Sequence, residues 1–394
     1  MNEAKGMDIK VKILHIAANA PYNDYWGYQD NLLPKYHKKL GHDVTIITTN
    51  AMHKNGEIVE TDCADYVLND GVRVIRLSRI NYNLKIVTNL KSKLDIKKYL
   101  DEIKPDFIFN HGLVSTTIYS VIEYKKMNPS CVIVQDNHQD YNIGRQIKTW
   151  KDKIVCGYYR YINKKSIPYV DRVYGVTPWR KTYAEEYFKI PANKTDVLIM
   201  GADDEQIDFE NKGTIREYIR KTYKISEEEF LIVTGGKIDT KKKIDKLMRA
   251  VEQIEGVKLL IFGTVLDDIK DLFKDILNRT EKIIYVGWID SAKVYDYFFA
   301  ADLVFFPGQH SVLWEQACAA KVPCVFERWE GMDHVNNGGN SEFLSPITSD
   351  NIKKKIEELL FSEKYYQMKK VAESEATDIY LYSKIAEKSL ECKQ

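Results

Sequence analysis

The sequence predicts an α/β protein built from two consecutive doubly wound domains. Three observations predict it. Short apolar runs recur along the 394 residues, segments of helical spacing separate them, and the alternation begins afresh after Ile190 and Pro191.

Residues 11–17 form an apolar run suited to a buried parallel strand. A polar loop follows at 19–26. Residues 28–40 have helical spacing that stops at Gly41, a C-capping residue. Residues 44–48 are the next strand, and 72–77, 106–110, 131–135 and 172–176 continue the series. Helical segments at 91–103, 114–126 and 179–188 lie between several of them, which implies right-handed βαβ units. The second series places strands at 230–234, 257–262, 282–286, 303–306 and 323–326. Helices at 240–253, 266–277, 291–299 and 312–320 alternate with these, and amphipathic helices at 350–360 and 382–391 end the chain. The first domain is therefore placed at 1–190, the second at 191–376 and a closing helix at 377–394. Two such domains are expected to face across a cleft at the carboxyl ends of their strands, where ligands bind in this architecture. No Gly-x-Gly-x-x-Gly follows the first strand, which argues against a dinucleotide dehydrogenase.

Composition narrows the function classes. The 58 Lys and Arg nearly cancel the 57 Asp and Glu, so overall charge favours no polyanion and no nucleic-acid partner is expected. The six cysteines include no CxxC pair, and no histidines cluster at metal-ligand spacing, so neither a metal nor a cofactor is expected. Cys131 and Cys318 read as small buried hydrophobes. The first residues are polar and lack the apolar core of a signal peptide. No apolar run approaches ~18 residues. A cytoplasmic address is expected.

The most informative segment spans 234–247 and joins a strand to a helix. Gly235 and Gly236 let the backbone approach a ligand. Lys237 follows the strand, and Lys241, Lys242 and Lys243 stand at the helix start, where positive charge opposes the helix dipole. An anion held by lysines and backbone N–H groups explains them; a solvated basic turn is the plainer alternative. The second segment spans 305–326. A strand ends in a loop carrying Gln309, His310 and Ser311, and a helix begins near Val312. Glu315 sits in its first turn among apolar neighbours, either as an ordinary helix acid or as an acceptor for ribose hydroxyls.

These segments resemble the nucleotide-sugar half of the retaining glycosyltransferases with the GT-B fold, the family-four type. That family has two Rossmann-like domains and a Gly-Arg…Lys-Gly pattern after the first strand of the second. Lys237 stands at the Arg position and Lys242 at the Lys position. The second Glu of the family's Glu-x7-Glu pattern, a ribose contact, matches Glu315. Pro307 stands where the first Glu would be, and Gln309 or His310, which carry hydrogen-bonding side chains nearby, are the candidates to replace its contact with the donor sugar. Residues 190–203 are similar to the inter-domain segment, and 380–388 to a closing helix that packs on the first domain.

In the first domain, Gly27 and Tyr28 open the first helix and are expected to face the cleft. Asn137 and His138 follow the strand at 131–135, and His111 follows that at 106–110. The resemblance implies that His138 contacts the donor sugar, although a histidine at a strand end is commonly a packing or capping residue. The segment 145–172 carries eight Lys or Arg against two Asp, interleaved with Trp150, Tyr158, Tyr159, Tyr161 and Tyr169. It reads either as a solvated helix or as a dock for anionic lipid headgroups at the inner membrane face.

The resemblance implies transfer of a sugar from a nucleoside diphosphate, UDP before GDP, to a glycan or lipid-linked acceptor with retention, in surface polysaccharide synthesis. Lys237 and Lys242 would stabilise the leaving diphosphate without a metal. A sugar-nucleotide epimerase on the same fold and a non-catalytic relative are the alternatives.

Overall fold

The computed structural model of the chain describes residues 10–80, 93–142, 144 and 147–393. The start of the helix expected at 91–103, the first two residues of the basic segment and the polar residues 1–9 lie outside them.

The chain divides into two units, Met1–Ile199 with Ile385–Gln394, and Met200–Lys384. The first contains, in order, β1 (Lys12–Ala17), α1 (Gln29–Lys39), β2 (Asp43–Thr49), β3 (Ala51–Lys54), β4 (Glu57–Glu60), β5 (Ala64–Val67) and β6 (Arg73–Leu77). There follow α2 (Lys97–Ile103), β7 (Phe107–Asn110), α3 (Ile118–Met127), β8 (Val132–Asn137), α4 (Trp150–Ser166), β9 (Arg172–Gly175), α5 (Pro178–Tyr187) and β10 (Thr195–Val197). Eight strands form one sheet in the order β10-β9-β8-β7-β1-β2-β6-β5. All its pairings are parallel except that of β5 with β6. The order reverses at β1, the switch point at which strand ends diverge. Leu14, Ile16, Ile75, Ile108 and Ile133 lie fully buried on this sheet and form its core with Val121 of α3 and Ile162 of α4.

The second unit contains α6 (Lys212–Thr222), β11 (Phe230–Ile238), α7 (Ile244–Val251), β12 (Val257–Val265), α8 (Lys270–Leu277), β13 (Ile283–Gly287) and α9 (Val294–Ala300). It continues with β14 (Leu303–Phe306), α10 (Leu313–Ala319), β15 (Cys324–Glu327), β16 (Ser341–Leu344), α11 (Ser349–Leu359), α12 (Glu363–Ala372) and the first residues of α13 (Tyr382–Ser389). Its six strands run in the order β13-β12-β11-β14-β15-β16, all parallel. Phe230, Ile232, Leu259, Ile261, Leu303 and Phe305 fill its core with Leu247 and Val251 of α7. Apolar residues at i, i+3, i+4 and i+7 along 244–251 put one face of α7 on the sheet.

Both units are Rossmann-like α/β domains, as the alternation predicts. The division falls at Ile199 rather than 190 because β10 pairs with β9 and closes the first sheet. The end of α13, from Ile385, rejoins the first unit. The hairpin β3–β4 and the strands β5 and β16 are additions to the expected elements. No helix among the described residues is long and apolar enough to cross a membrane.

Candidate functional site

The site in the second unit grows from the carboxyl ends of β11 and β14. After β11 the backbone turns at Asp239, whose side chain accepts the N–H groups of Lys241 and Lys242 at 3.0 and 3.1 Å. The chain makes one 3-10 turn over Thr240–Lys242, then passes Lys243 in left-handed conformation at φ 52° and enters α7. The lysines thus lie in a separately capped turn ahead of the helix, which relieves the dipole conflict read from the sequence.

The loop after β14 is sewn to this turn. Gln309 N–H donates to Lys241 C=O at 3.1 Å, and Lys242 Nζ donates to Gln309 C=O at 2.6 Å. Gly308 makes the approach possible, because a Cβ there would stand 2.4 Å from the carbonyl oxygens of Lys241 and Lys242. Gly236, at φ 106°, and Gly235, where a Cβ would stand 2.5 Å from Phe262 O, bring β11 equally close to its neighbours. Burial lowers the Lys242 ammonium to about 8, against the smaller upward pull of Asp239. Lys243 is paired with Glu327. Lys237 is exposed at the end of β11.

Glu315, in the first turn of α10, is completely buried. Its Oε1 meets His310 Nε2 at 2.9 Å and His334 Nε2 at 2.8 Å. Burial alone would raise the carboxyl, but the two imidazoles outweigh it and hold the group at about 2. Its Oε2 is buried with no protein partner, as are Ser311 Oγ, Trp314 Nε1 and Thr234 Oγ1. Buried polar atoms are normally satisfied, so a free carboxylate oxygen suits an incoming hydroxyl. Val312 stands at the N-cap position of the helix and makes no side-chain capping hydrogen bond.

His310, Glu315 and His334 are a trio that sequence spacing missed, with ligand atoms within 4.8 Å of one another. Both ring nitrogens lie at hydrogen-bond length from one carboxylate oxygen, to which each donates an N–H. His334 Nδ1 lacks the outer partner that fixes a metal-binding ring. The trio forms a hydrogen-bonded clamp on Glu315, and its ligand atoms also lie close enough together to hold a metal ion.

The residues singled out in the first unit separate into two groups. Gly27 and Tyr28 are exposed ahead of α1, with open space where a Gly27 Cβ would stand. Asn137 is buried and committed to the fold, its amide donating to Gln139 O and Arg180 O at 2.8 Å each. His111 and His138 converge on a residue the sequence reading passed over, Asp136. Asp136 Oδ2 meets His111 Nδ1 at 2.8 Å and His138 Nε2 at 3.3 Å, while Oδ1 accepts the Gly112 N–H at 2.7 Å. Burial works to raise this carboxyl, yet the two histidines hold it well below the usual carboxylate range. His111 is almost buried, whereas the His138 side chain is 43% exposed.

Two family models match the chain: Glycosyltransferase Family 4 over residues 32–206 and Glycosyl transferases group 1 over residues 215–375. A curated relative, an uncharacterized glycosyltransferase of Methanocaldococcus jannaschii, is 23% identical over 175 residues, covering 42% of this chain and 44% of the relative. The chain thus matches less than half of that relative's length. Among solved structures, a glycosyltransferase from Rickettsia africae superposes with a TM-score of 0.70 at 16% identity, covering 98% of each chain. The HepE protein of Anabaena, solved with UDP-glucose, superposes with a TM-score of 0.60 at 14% identity, covering 97% of this chain and 98% of its own.

Proposed function

Because the chain belongs to the group 1 glycosyltransferases and has their GT-B architecture of two Rossmann-like domains, we propose that it moves a hexosyl or related sugar from a nucleoside-diphosphate sugar to a glycan or lipid-linked acceptor, with retention, in surface polysaccharide synthesis. The observation that carries this reading is Lys242. Its half-buried ammonium faces a carbonyl rather than a carboxylate, so its charge is left for an anion. Departure of a nucleoside diphosphate builds negative charge at such a site, where weak solvent screening makes a fixed cation most effective.

Lys237 would share that charge from the end of β11. Glu315 Oε2 would accept ribose hydroxyls, with Gln309 and His310 placed for the sugar. His138 would meet a sugar hydroxyl from the first domain. The acceptor attacks the anomeric carbon on the face the diphosphate leaves, and the diphosphate takes the acceptor's proton. UDP is the proposed nucleotide, supported by the likeness to a protein solved with UDP-glucose. Along α4, exposed Trp150, Ile154 and Tyr161 stand among exposed Lys151, Lys153, Lys164 and Lys165, which supports peripheral contact with anionic lipid.

The test is incubation of the purified chain with labelled UDP-sugars, with and without lipid-linked glycan acceptors. Label transferred only when acceptor is present supports the proposal. Donor converted without acceptor indicates an epimerase, and no conversion in either arm contradicts the reading.

A further inference from the structure

Behind Asp136 lies a row of buried imidazoles that the proposed chemistry does not use. His15, in the middle of β1, is fully buried, as is His37 of α1. His15 Nε2 meets His37 Nδ1 at 2.9 Å, and His15 Nδ1 meets His111 Nε2 at 3.1 Å. At one end His37 Nε2 meets Ser389 Oγ at 2.7 Å; at the other, His111 Nδ1 meets Asp136 Oδ2 at 2.8 Å. Ser389 Oγ also lies 2.8 Å from Ala386 O.

Counting protons shows what this row can do. Four links join Ser389, three imidazoles and Asp136, and each link needs one proton. A neutral imidazole supplies one, and a carboxylate supplies none. One link is therefore left over. In one state the Ser389 hydroxyl turns to His37 and fills it; every ring then carries its proton on Nδ1, directed toward Asp136. In the other state the hydroxyl turns to Ala386, His37 and His15 carry their protons on Nε2, and His111 keeps two protons. The states differ by one proton and by the tautomers of His15 and His37. Burial disfavours charge on either of those rings: His15 lies well below the usual imidazole range, and His37 is pushed down to about 3. The Asp136 carboxylate, 2.8 Å from His111 Nδ1, supplies the counter-charge for the additional proton at that end of the row.

We propose that His15 and His37 are positioning residues which, with Ser389, form a one-proton file that sets the charge of His111 and, through Asp136, the hold on His138. With His111 neutral, Asp136 pulls the His138 Nε2–H inward and leaves His138 Nδ1 to accept a hydroxyl. With His111 charged, the carboxylate is shared with a cation and that hold weakens. The ionisable groups around the file are His42 beside His37, and Asp30 and His138 beside His111 and Asp136. The final step, from His138 to substrate, rests on the transferase reading; the file itself does not.

The experiment is a pH titration of the full chain labelled with 15N-histidine, followed by NMR of the ring nitrogens. As the pH falls, the row should take up one proton at a single midpoint while His15 and His37 change tautomer in the same step. His15→Phe should remove the tautomer change at His37. Single, unchanging tautomers at His15 and His37 across that midpoint, or a tautomer change at His37 that persists in His15→Phe, overturn the file. In turnover assays, KM for the nucleotide sugar should rise below the same midpoint, and His138→Gln should abolish that rise. A KM flat across the midpoint overturns the link to His138. Absence of turnover with any nucleotide sugar defeats the transferase reading alone, since the spectra still decide the file.

Discussion

Lys242 Nζ is held 2.6 Å from the carbonyl oxygen of Gln309, which ties the turn after β11 to the loop after β14. This bond fixes the ammonium while leaving its charge unmatched by a direct carboxylate partner. Replacing Lys242 by Ala should lower kcat by about 10²-fold or more, as removal of a preorganised charge contact does. Steady-state kinetics with a UDP-sugar check this; a change confined to KM would mean that the lysine holds ground state and transition state alike.

The same ammonium sets a pH dependence with two opposite signs. The folded chain binds the proton with a value of about 8, against an ordinary 10.5. Affinity for UDP should therefore fall as pH rises through about 8. Between 8 and 10.5 the unfolded chain holds more protons at this group, so its contribution to stability rises with pH in that window. Calorimetry of UDP binding and urea melts, each from pH 7 to 10, should show both trends, and Lys242→Ala should remove both.

Gly308 has no room for a side chain against the Lys241 and Lys242 carbonyls. Gly308→Ala should push the two loops apart, costing about 1–3 kcal/mol in stability, as overpacking does. It should also weaken UDP binding, because Lys242 and Gln309 lose their register. Denaturant midpoints and UDP titrations measure the two effects separately.

Glu315 has one oxygen clamped by His310 and His334 and one oxygen free. Glu315→Gln keeps the shape but exchanges the carboxylate for an amide, and should weaken UDP binding by about tenfold, near the value of one charged hydrogen bond. The carboxyl is depressed from 4.5 to about 2, so its contribution to stability is present above 4.5 and is lost as pH falls toward 2. The variant should show a flatter acid melting curve over that interval.

The His310–Glu315–His334 clamp is built from hydrogen bonds, and Lys237 and Lys242 supply positive charge. Treatment with a chelator followed by gel filtration should leave transfer activity unchanged. Loss of activity that zinc or magnesium restores would instead assign the trio to a metal.

The strands that carry these residues were legible because parallel strands buried on both faces read as unbroken apolar runs, as at Leu14 and Ile16 or at Leu231 to Val233. The turn at Lys242 and the helix at Glu315 were legible for a related reason: glycine and clustered charge at a strand end mark a change of direction. The hairpin β3–β4 was missed although its turn residues, Asn55 and Gly56, both have positive φ and are the strongest short hairpin signal; its strands are polar and short, so no apolar run announced them. His334 was invisible as a partner of Glu315 because it arrives on a 3-10 turn after β15, a separation of 19 residues with no motif spacing. The imidazole file was hidden in the same way. His15 and His111 stand 96 residues apart and meet only because β1 and β7 are neighbours in the sheet.

The measurement that bears most directly on the central claim is a thermal-shift panel of nucleoside diphosphates on the wild-type chain and on Lys242→Ala. Ligands that bind only the folded chain raise its melting temperature by mass action. UDP and UDP-sugars should raise the wild-type midpoint by several degrees, on the order of 3–4 °C for a gain of ~2–3 kcal/mol at 100 times Kd, and should leave Lys242→Ala nearly unmoved. A wild-type midpoint indifferent to every nucleoside diphosphate, or a variant that responds as strongly as the wild type, would contradict the assignment of Lys242 to a diphosphate.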